Sequence, residues 1–251
     1  MVIEKSKVEL LQPVGERTFL IKVFSPHIAQ KAKPGQFCNI KVSESDFPLL
    51  RRPFSICDVE GESVYFLFDI HGEGTKILSE KNPGDEIDIL GPLGNGFNST
   101  GDYEYAVIVA GGLGAAPFPF LTKSLRNKKV ITLVGARNSS LIVTERLENV
   151  SVATDDGSSG YKGTSVDLLK KTLSDAEISS FRIFACGPNA MLKSLQKLSL
   201  ENNYDSQLSI ECAMACGFGI CMGCPVETSD GEGYKLVCKD GPVFNASEIK
   251  L

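Results

Sequence analysis

Four cysteines near the C-terminus have the spacing of a metal-binding loop. Cys216 and Cys221 are separated by four residues, Cys221 and Cys224 by two, and Cys238 follows after thirteen more. Plant-type 2Fe-2S clusters are held by this arrangement, C-x4-C-x2-C followed by a distant fourth cysteine. Glycines inside the loop allow its backbone to bend and approach inorganic sulfides. The spacing therefore predicts a 2Fe-2S cluster, which transfers single electrons.

Zinc and disulfides are the alternative uses of these cysteines. A structural zinc site usually has two close pairs of cysteines, whereas Cys238 stands alone in the sequence. Disulfides require an oxidising compartment, and the N-terminus lacks the apolar core of a secretion signal. Cys212 falls outside the cluster spacing, and we expect it on a strand spanning 207–211 and the residues just beyond.

Composition excludes some classes of function. The chain has 251 residues, a net charge of -5 and no lysine-rich arm, so a nucleic-acid surface is not expected. No apolar stretch approaches the length needed to cross a membrane. A cytoplasmic protein is the expectation, and reduced cysteines there favour metal ligation. With only two histidines, a histidine-based metal site or catalytic triad has little support.

The elements that must position the cysteines fall into two patterns. Short β-rich runs separated by Gly, Pro and charged turns fill the first hundred residues and predict a small antiparallel barrel. Strands then alternate with helices, including one expected at 140–148, which predicts a parallel sheet of βαβ units. We therefore predict a barrel domain at 1–101, a nucleotide-binding α/β domain at 102–206 and a cluster-binding segment at 207–251.

Two turns of the predicted α/β domain could border a nucleotide. Residues 111–117 (GGLGAAP) follow a buried strand and open a helix, where glycines and free N–H groups suit a pyrophosphate. Residues 186–188 (CGP) end a later strand, and the carboxyl ends of strands in an open sheet share one crevice. Each signal alone is weak, because glycine turns also occur without ligands and an isolated cysteine is usually a small buried residue.

Two segments of the predicted barrel could contact a second ligand. Residues 51–55 (RRPFS) place an arginine before an aromatic and a hydroxyl, which suits a phosphate beside a flat heterocycle. Residues 72–75 (GEGT) could present N–H groups and a hydroxyl to another phosphate position. A solvated strand end and an ordinary turn remain the alternatives.

Together these segments resemble the ferredoxin–NADP reductase superfamily over nearly the whole chain. Residues 52–55 are similar to its R-x-[FY]-[ST] flavin motif, 111–117 to its G-G-x-G-x-x-P loop and 186–188 to its C-G-P motif. The cysteine loop, together with residues 91–97 (GPLGNGF), 154–157 (TDDG) and 237–244 (VCKDGPVF), narrows the resemblance. These segments resemble the electron-transfer subunits of NAD-dependent dihydroorotate dehydrogenase.

The resemblance implies three ligand sets. For FAD they are Arg52, Pro53, Phe54, Ser55, Phe68, Asp69, Ile70, Gly74 and Thr75. For NAD they are Gly111, Gly112, Gly114, Cys186 and Gly187. For the 2Fe-2S cluster they are Cys216, Cys221, Cys224 and Cys238.

The resemblance also implies a partner subunit and a direction of electron transfer. An FMN-containing catalytic subunit would oxidise dihydroorotate to orotate in pyrimidine biosynthesis, in a heterotetramer of two plus two chains. Electrons would run from that FMN to the cluster, then to FAD, then as hydride to NAD. No catalytic acid or base is then expected in this chain.

Two other functions stay open at this point. A subunit that reduces ferredoxin or a sulfur compound with NAD(P)H would use the same motifs, and a regulatory nucleotide-binding module would carry structural zinc. The choice between NAD and NADP is also open. Arg137 follows the second predicted α/β strand, where it could meet a 2′-phosphate, and no acidic residue lies directly at that turn.

Overall fold

The computed structural model describes residues 1–45, 47–176 and 178–251. Within them, six antiparallel strands close a barrel in the order β1-β2-β5-β4-β3-β6. Apolar side chains from alternate positions fill its interior, among them Ile21, Ile56 and Phe66. The strands are β1 (Val2–Pro13), β2 (Thr18–Phe24), β3 (Phe37–Lys41), β4 (Arg52–Glu60), β5 (Ser63–Asp69) and β6 (Glu86–Leu93). Helix α1 (Pro26–Lys31) follows β2, and helix α2 (Glu73–Ser79) follows β5.

A predominantly parallel sheet follows the barrel, in the order β10-β9-β8-β7-β11-β12-β15 within the described ranges. Its central strand β7 is almost wholly buried, as its continuous apolar sequence predicts. The strands are β7 (Tyr105–Gly111), β8 (Lys129–Ala136), β9 (Val150–Thr154), β10 (Tyr161–Lys162), β11 (Phe181–Cys186), β12 (Ser206–Ser209) and β15 (Val243–Asn245). Helices α3 (Phe118–Ser124), α4 (Ser165–Asp175) and α5 (Asn189–Asn202) complete the domain. The predicted combination of barrel and parallel sheet is confirmed.

The C-terminal segment is built into this sheet. The predicted boundary at 206/207 falls inside β12, and β15 pairs antiparallel with β12 through Leu208 and Phe244. Between these two strands lie the cysteine loop and a small hairpin of β13 (Pro225–Glu227) and β14 (Tyr234–Leu236). The cysteines are therefore held between two neighbouring strands of one sheet.

The prediction of a helix at 140–148 is wrong. Only a short 3-10 turn, Ser139–Leu141, forms there, and the chain then runs on without regular structure to β9. Ile142, Val143 and Thr144 are β-branched and disfavour a helix. Arg146 has φ +60°, outside the helical region, and its side chain reaches back to the barrel.

An ion cluster at that point joins the barrel to the sheet domain. Asp58 on β4 is almost completely buried and pairs with Lys123 of α3 (Nζ–Oδ1 2.6 Å) and with Arg146 (Nη2–Oδ2 2.6 Å). Arg146 also pairs with Glu60 and stacks over the ring of Tyr65, 4.3 Å from its centroid. We call Asp58, Glu60, Lys123 and Arg146 the interdomain clamp.

Among the described residues, no helix is both long enough and apolar enough to pass through a membrane.

Candidate functional site

Two cavities lie between the barrel and the sheet domain. The first, which we call the barrel cavity, has a volume of about 470 Å³. Its walls come from β4 and β5 of the barrel, from the turn after β7, and from the segment that follows β12. The lining residues are Phe37, Pro53, Phe54, Ser55, Leu67, Phe68, Asp69, His71, Thr75, Leu113, Ala116, Ser209, Ile210, Glu211, Cys212, Met214 and Pro242.

Most residues predicted to bind FAD border the barrel cavity. Pro53, Phe54, Ser55, Phe68, Asp69 and Thr75 line it, and Ile70 lies on the neighbouring cavity. Arg52 and Gly74 line neither cavity but contact each other, since a Cβ at Gly74 would lie 2.7 Å from Arg52 Nε. The guanidinium thus lies over the first turn of α2. The Thr75 hydroxyl is used locally, accepting the backbone N–H of His71 at 2.8 Å.

The second cavity, the sheet cavity, has a volume of about 560 Å³ and lies over the carboxyl ends of β7, β8 and β9. Of the residues predicted to bind NAD, Gly111 and Gly112 line it. Gly114, Cys186 and Gly187 do not. Instead, they lie where the turn after β7 packs against the turn after β11. A Cβ at Gly114 would collide with the backbone carbonyl of Cys186, and a Cβ at Gly187 would lie 3.0 Å from the Gly111 nitrogen. The two turns can therefore pack this closely only because both residues are glycine.

An acidic residue does stand beside Arg137, although none is near it in sequence. The N–H groups of Asp155 and Asp156 donate to the carbonyls of Ala136 (3.1 Å) and Arg137 (3.3 Å), which seats the turn after β9 on the turn after β8. Asp155 and Arg137 both line the sheet cavity. The parallel pairing of β8 with β9 brings them together, a contact that reading the β8 turn alone could not reveal.

The two cavities share a wall. Asp69, His71 and Leu113 line both of them. A ligand in the barrel cavity and one in the sheet cavity would therefore meet at the turn that follows β7. This adjacency suits the direct transfer of a hydride between two bound molecules.

Three of the predicted cluster ligands lie on the loop after β12, beside the barrel cavity, and Cys238 lies on the turn after β14. Cys224 and Cys238 are buried with their sulfurs 3.1 Å apart, and Cys216 and Cys221 lie on the outer part of the loop. No three potential ligands within the described residues already form a single-ion site. The four thiols instead stand as an inner pair and an outer pair, which suits a core of two irons better than one ion.

The electrostatics of the loop fit an iron–sulfur core. Partial burial of Cys216 opposes its ionisation, but backbone N–H groups, that of Cys221 foremost, outweigh it and lower the pKa to about 6. Burial, aided by the adjacent Cys224 thiol, raises the pKa of Cys238 to about 12. Two ionised sulfurs 3.1 Å apart would repel each other, so this inner pair needs a cationic core to bind as thiolates. Gly217 and Gly219 have φ of +80° and +90°, as the tight loop requires.

Three residues near the loop were missed or misplaced from the sequence. Asn39 on β3 is buried and donates to the Cys216 carbonyl at 3.2 Å, pinning the loop to the barrel. Cys212 lies beyond β12, not on it, and lines the barrel cavity; burial, aided by the nearby Cys224 thiol, raises its pKa to about 11. Glu211 also lies past the strand end and lines the same cavity. Cys212 and Glu211 were misplaced because β12 ends at Ser209, earlier than the predicted strand.

Sequence comparison identifies similar proteins along nearly the whole chain. The family model for the iron-sulfur cluster binding domain of dihydroorotate dehydrogenase B matches residues 211–250. The electron transfer subunit of dihydroorotate dehydrogenase B (NAD(+)) from Caldanaerobacter subterraneus subsp. tengcongensis is 38% identical over 248 residues, covering 97% of this chain and 95% of the relative. The subunit of the same name from Fusobacterium nucleatum is 34% identical, with 100% of both chains covered.

Structural comparison finds the same architecture in reductases. A structure of an NADH-dependent reduced ferredoxin-NADP oxidoreductase is 28% identical and superposes with a TM-score of 0.87, over 98% of this chain and 90% of the other. A ferredoxin NADP+ reductase from Neisseria gonorrhoeae with bound FAD and NADP has a TM-score of 0.66 at 17% identity, covering 79% of this chain and 91% of the other. The second likeness concerns the fold alone.

Proposed function

This chain belongs to the family of electron transfer subunits of NAD-dependent dihydroorotate dehydrogenase B. From that premise we propose which of its residues bind the cofactors that carry the electrons. FAD binds in the barrel cavity, NAD in the sheet cavity, and a 2Fe-2S cluster on Cys216, Cys221, Cys224 and Cys238. A flavin can accept electrons one at a time from a cluster and pass two of them together, as a hydride, to a nicotinamide. The shared wall of the two cavities is the observation that carries this proposal.

Each part of the chain has a positioning task in this proposal. Arg52 and the first turn of α2 hold the FAD pyrophosphate, while Phe54 and Phe68, whose ring centroids are 5.7 Å apart, form an apolar wall. Leu113 separates the cavities and keeps water out of the meeting point. Cys212 lines the barrel cavity and lies near the cluster ligand Cys224, so the cluster and the cavity are close enough for electron passage. We propose that the domains meet at 101/102 and, within β12, at 206/207.

The cluster loop is also the proposed docking face for the catalytic subunit. Ile220 and Met222 beside the ligands are 75% and 64% exposed, although both are large and apolar. Exposed apolar side chains around a redox centre suit a partner that must bring its own cofactor close. We propose that the partner contains FMN and that two chains of each kind assemble. We propose a cytoplasmic setting, where cysteines stay reduced and can bind the cluster.

The direct test is anaerobic reconstitution of the pathway. The chain is mixed with dihydroorotate, NAD+ and the candidate FMN-containing subunit, and NADH is followed by its absorbance. NADH should appear only when all components are present, and the two proteins should co-purify. No NADH from a chain that holds FAD and iron would contradict the proposed function.

Replacing Arg52 with alanine should weaken FAD retention. The loss of a charge-assisted contact to the pyrophosphate should raise the FAD dissociation constant by roughly tenfold to a hundredfold. Flavin content after dialysis measures this, with the exposed Arg126→Ala as control and Arg52→Lys expected to fall between. Full FAD occupancy in dialysed Arg52→Ala would contradict the assignment.

Asp155 is proposed to select NAD over NADP. A carboxylate beside the adenosine ribose accepts its hydroxyls and repels a 2′-phosphate, while Arg137 alone would attract one. Asp155→Ala should therefore lower the ratio of NADH to NADPH efficiency by about tenfold or more, measured as kcat/KM for reduction of a dye. Asp175→Asn, on the surface of α4, is the control. An unchanged ratio would show that selectivity arises elsewhere.

A further inference from the structure

One wall of the sheet cavity is formed by a loop and not by a regular element. The loop spans residues 137–149, between β8 and β9, and we call it the β8–β9 loop. Apart from the short turn at Ser139–Leu141, it runs without helix or strand. Its residues that line the cavity are Arg137, Ser140, Leu141 and Val143. A loop without a hydrogen-bonded ladder of its own keeps one conformation only where other parts of the protein hold it.

The start of the β8–β9 loop is held by the sheet domain. The N–H of Ser139 donates to the Ser158 hydroxyl at 2.8 Å, and the N–H of Asp156 donates to the Arg137 carbonyl at 3.3 Å. Both donor–acceptor pairs join the loop to the turn that follows β9. The first of the cavity-lining residues is therefore fixed relative to the sheet.

The later part of the loop is held by the barrel instead. Arg146 donates from Nε (3.1 Å) and Nη2 (2.6 Å) to Oδ2 of Asp58, whose side chain is only 2% exposed. The guanidinium also pairs with Glu60 and stacks over the Tyr65 ring. These three partners belong to the barrel strands β4 and β5. The interdomain clamp thus attaches one wall of the sheet cavity to the barrel, three residues beyond Val143.

The backbone at Arg146 depends on this attachment. Its φ of +60° lies in the left-handed region, which costs free energy for a residue with a side chain. Such a conformation persists only when surrounding contacts hold it. Without the ion pairs to Asp58 and Glu60, the backbone at Arg146 would relax, and the β8–β9 loop would sample other conformations.

We propose that Arg146 is a positioning residue for the dinucleotide: it fastens the β8–β9 loop to the barrel and so keeps the sheet cavity in the shape that accepts NAD. The inference rests on the proposed function, which places NAD in this cavity. A freed loop has the accepting shape for only a fraction of the time, and the apparent dissociation constant rises by the inverse of that fraction. The residues that line both cavities, Asp69, His71 and Leu113, lie outside the loop, so the hydride step itself should not change.

Stopped-flow reduction of FAD-loaded protein by NADH tests this separation of binding from chemistry. The dependence of the rate on NADH concentration gives a dissociation constant and a limiting rate. Arg146→Met should raise the dissociation constant about tenfold and leave the limiting rate within about twofold of wild type. Arg146→Lys keeps the charge but loses the forked contact and the stacking on Tyr65, so its dissociation constant should fall between these two.

Lys123→Met is the matched control for a loss of stability alone. Lys123 lies on α3, outside the loop, and its Nζ pairs with Oδ1 of the same buried carboxylate at 2.6 Å. Its removal leaves Asp58 undercompensated, as Arg146→Met does, but the loop stays attached. The dissociation constant for NADH in Lys123→Met should therefore remain within about twofold of the wild-type value, because only loop attachment affects the fraction of accepting protein.

A second readout does not depend on flavin reduction. A protease that cuts after glutamate is added to the FAD-loaded proteins, and fragment masses identify cuts after Glu145 and Glu148 in the loop. Exposed and mobile loops are the preferred sites of such cuts. Cutting there should be several times faster in Arg146→Met than in Lys123→Met, and saturating NAD+ should slow it in both variants.

The outcomes separate this inference from the proposed function. Equal rises of the dissociation constant in Arg146→Met and Lys123→Met would show that Arg146 only stabilises the fold, and would overturn the proposal. A lower limiting rate at an unchanged dissociation constant, or loop cutting at the wild-type rate, would also overturn it. Should Arg146→Met not fold, an Arg146→Lys protein that binds NADH as tightly as Lys123→Met does the same. Reduction of wild-type flavin by NADH upholds the proposed function whatever the variants do, and its absence would contradict that function itself.

Discussion

Cys221→Ser should stop dihydroorotate-dependent reduction of NAD+ while leaving NADH reduction of FAD largely intact. Cys221 is an exposed residue of the loop, and its N–H donates to the Cys216 sulfur at 3.4 Å. Serine preserves the size of the side chain but not the thiolate that iron requires. With the single-electron relay gone, the overall rate should fall by roughly two orders of magnitude or more, whereas hydride exchange in the adjoining cavities does not involve the loop.

Three measurements check this expectation. Iron and labile sulfide are assayed, NADH-driven bleaching of the flavin is timed, and NADH formation is followed with the partner present. Cys57→Ala is the matched control, because Cys57 is buried in the barrel wall. The iron content of this variant should stay at the wild-type value. A Cys221→Ser protein that keeps its FAD but loses rapid flavin reduction by NADH would show that the proposed order of electron transfer is wrong.

Arg146→Met should strongly destabilise the contact between the barrel and the sheet domain. Asp58 has only 2% of its side chain exposed, so removing one of its two cationic partners leaves a buried carboxylate poorly compensated. Breaking a buried pair from one side costs about 3–5 kcal/mol of unfolding free energy, and the remaining Lys123 should hold the loss to the lower part of that range. Lys171→Met, on the surface of α4, should change stability by less than about 0.5 kcal/mol.

Urea denaturation of FAD-loaded protein measures this difference, with flavin fluorescence reporting release from the barrel cavity. The pH dependence supplies an independent check. Hydrogen bonding from Tyr65, opposed by slight burial and aided by Arg146, lowers the pKa of Glu60 below 4.5. Because the pKa of Glu60 is lower in the folded than in the unfolded protein, ionised Glu60 stabilises the fold above pH 4.5. This contribution to the free energy of unfolding is lost as the pH falls through the lower, folded-state pKa. Equal stability of Arg146→Met and Lys171→Met would show that the clamp does not hold the domains.

The sequence predicted the architecture wherever one local pattern decided it. The continuous apolar run of β7 and the cysteine spacing are examples. It failed where distant segments decided the outcome. The stretch around Arg146 contains β-branched residues that disfavour a helix, and the Arg146 side chain also makes a contact with β4 that the local pattern does not reveal. β1 has few buried side chains, so its pattern of apolar residues is weak.

The candidate site shows the same division. The glycine turn and the residues after Arg52 were predicted from their local order along the chain. Asp155 and Asn39 were not, because each reaches its neighbours only through strand pairing or barrel packing. The roles of Gly114 and Gly187 differ from expectation for the same reason, since their lack of a side chain serves contact between two turns.

The placement of the cysteine loop between β12 and β15 has a consequence for biogenesis. The first three ligands follow β12, and Cys238 directly precedes the strand that pairs with it. Cys238 therefore comes within reach of the other three thiols only after β15 has joined β12 at the edge of the sheet. Cluster insertion should accordingly be a late event in maturation, performed on a folded flavoprotein, and chain made under iron starvation should accumulate as a compact intermediate that matures when iron and sulfide are supplied.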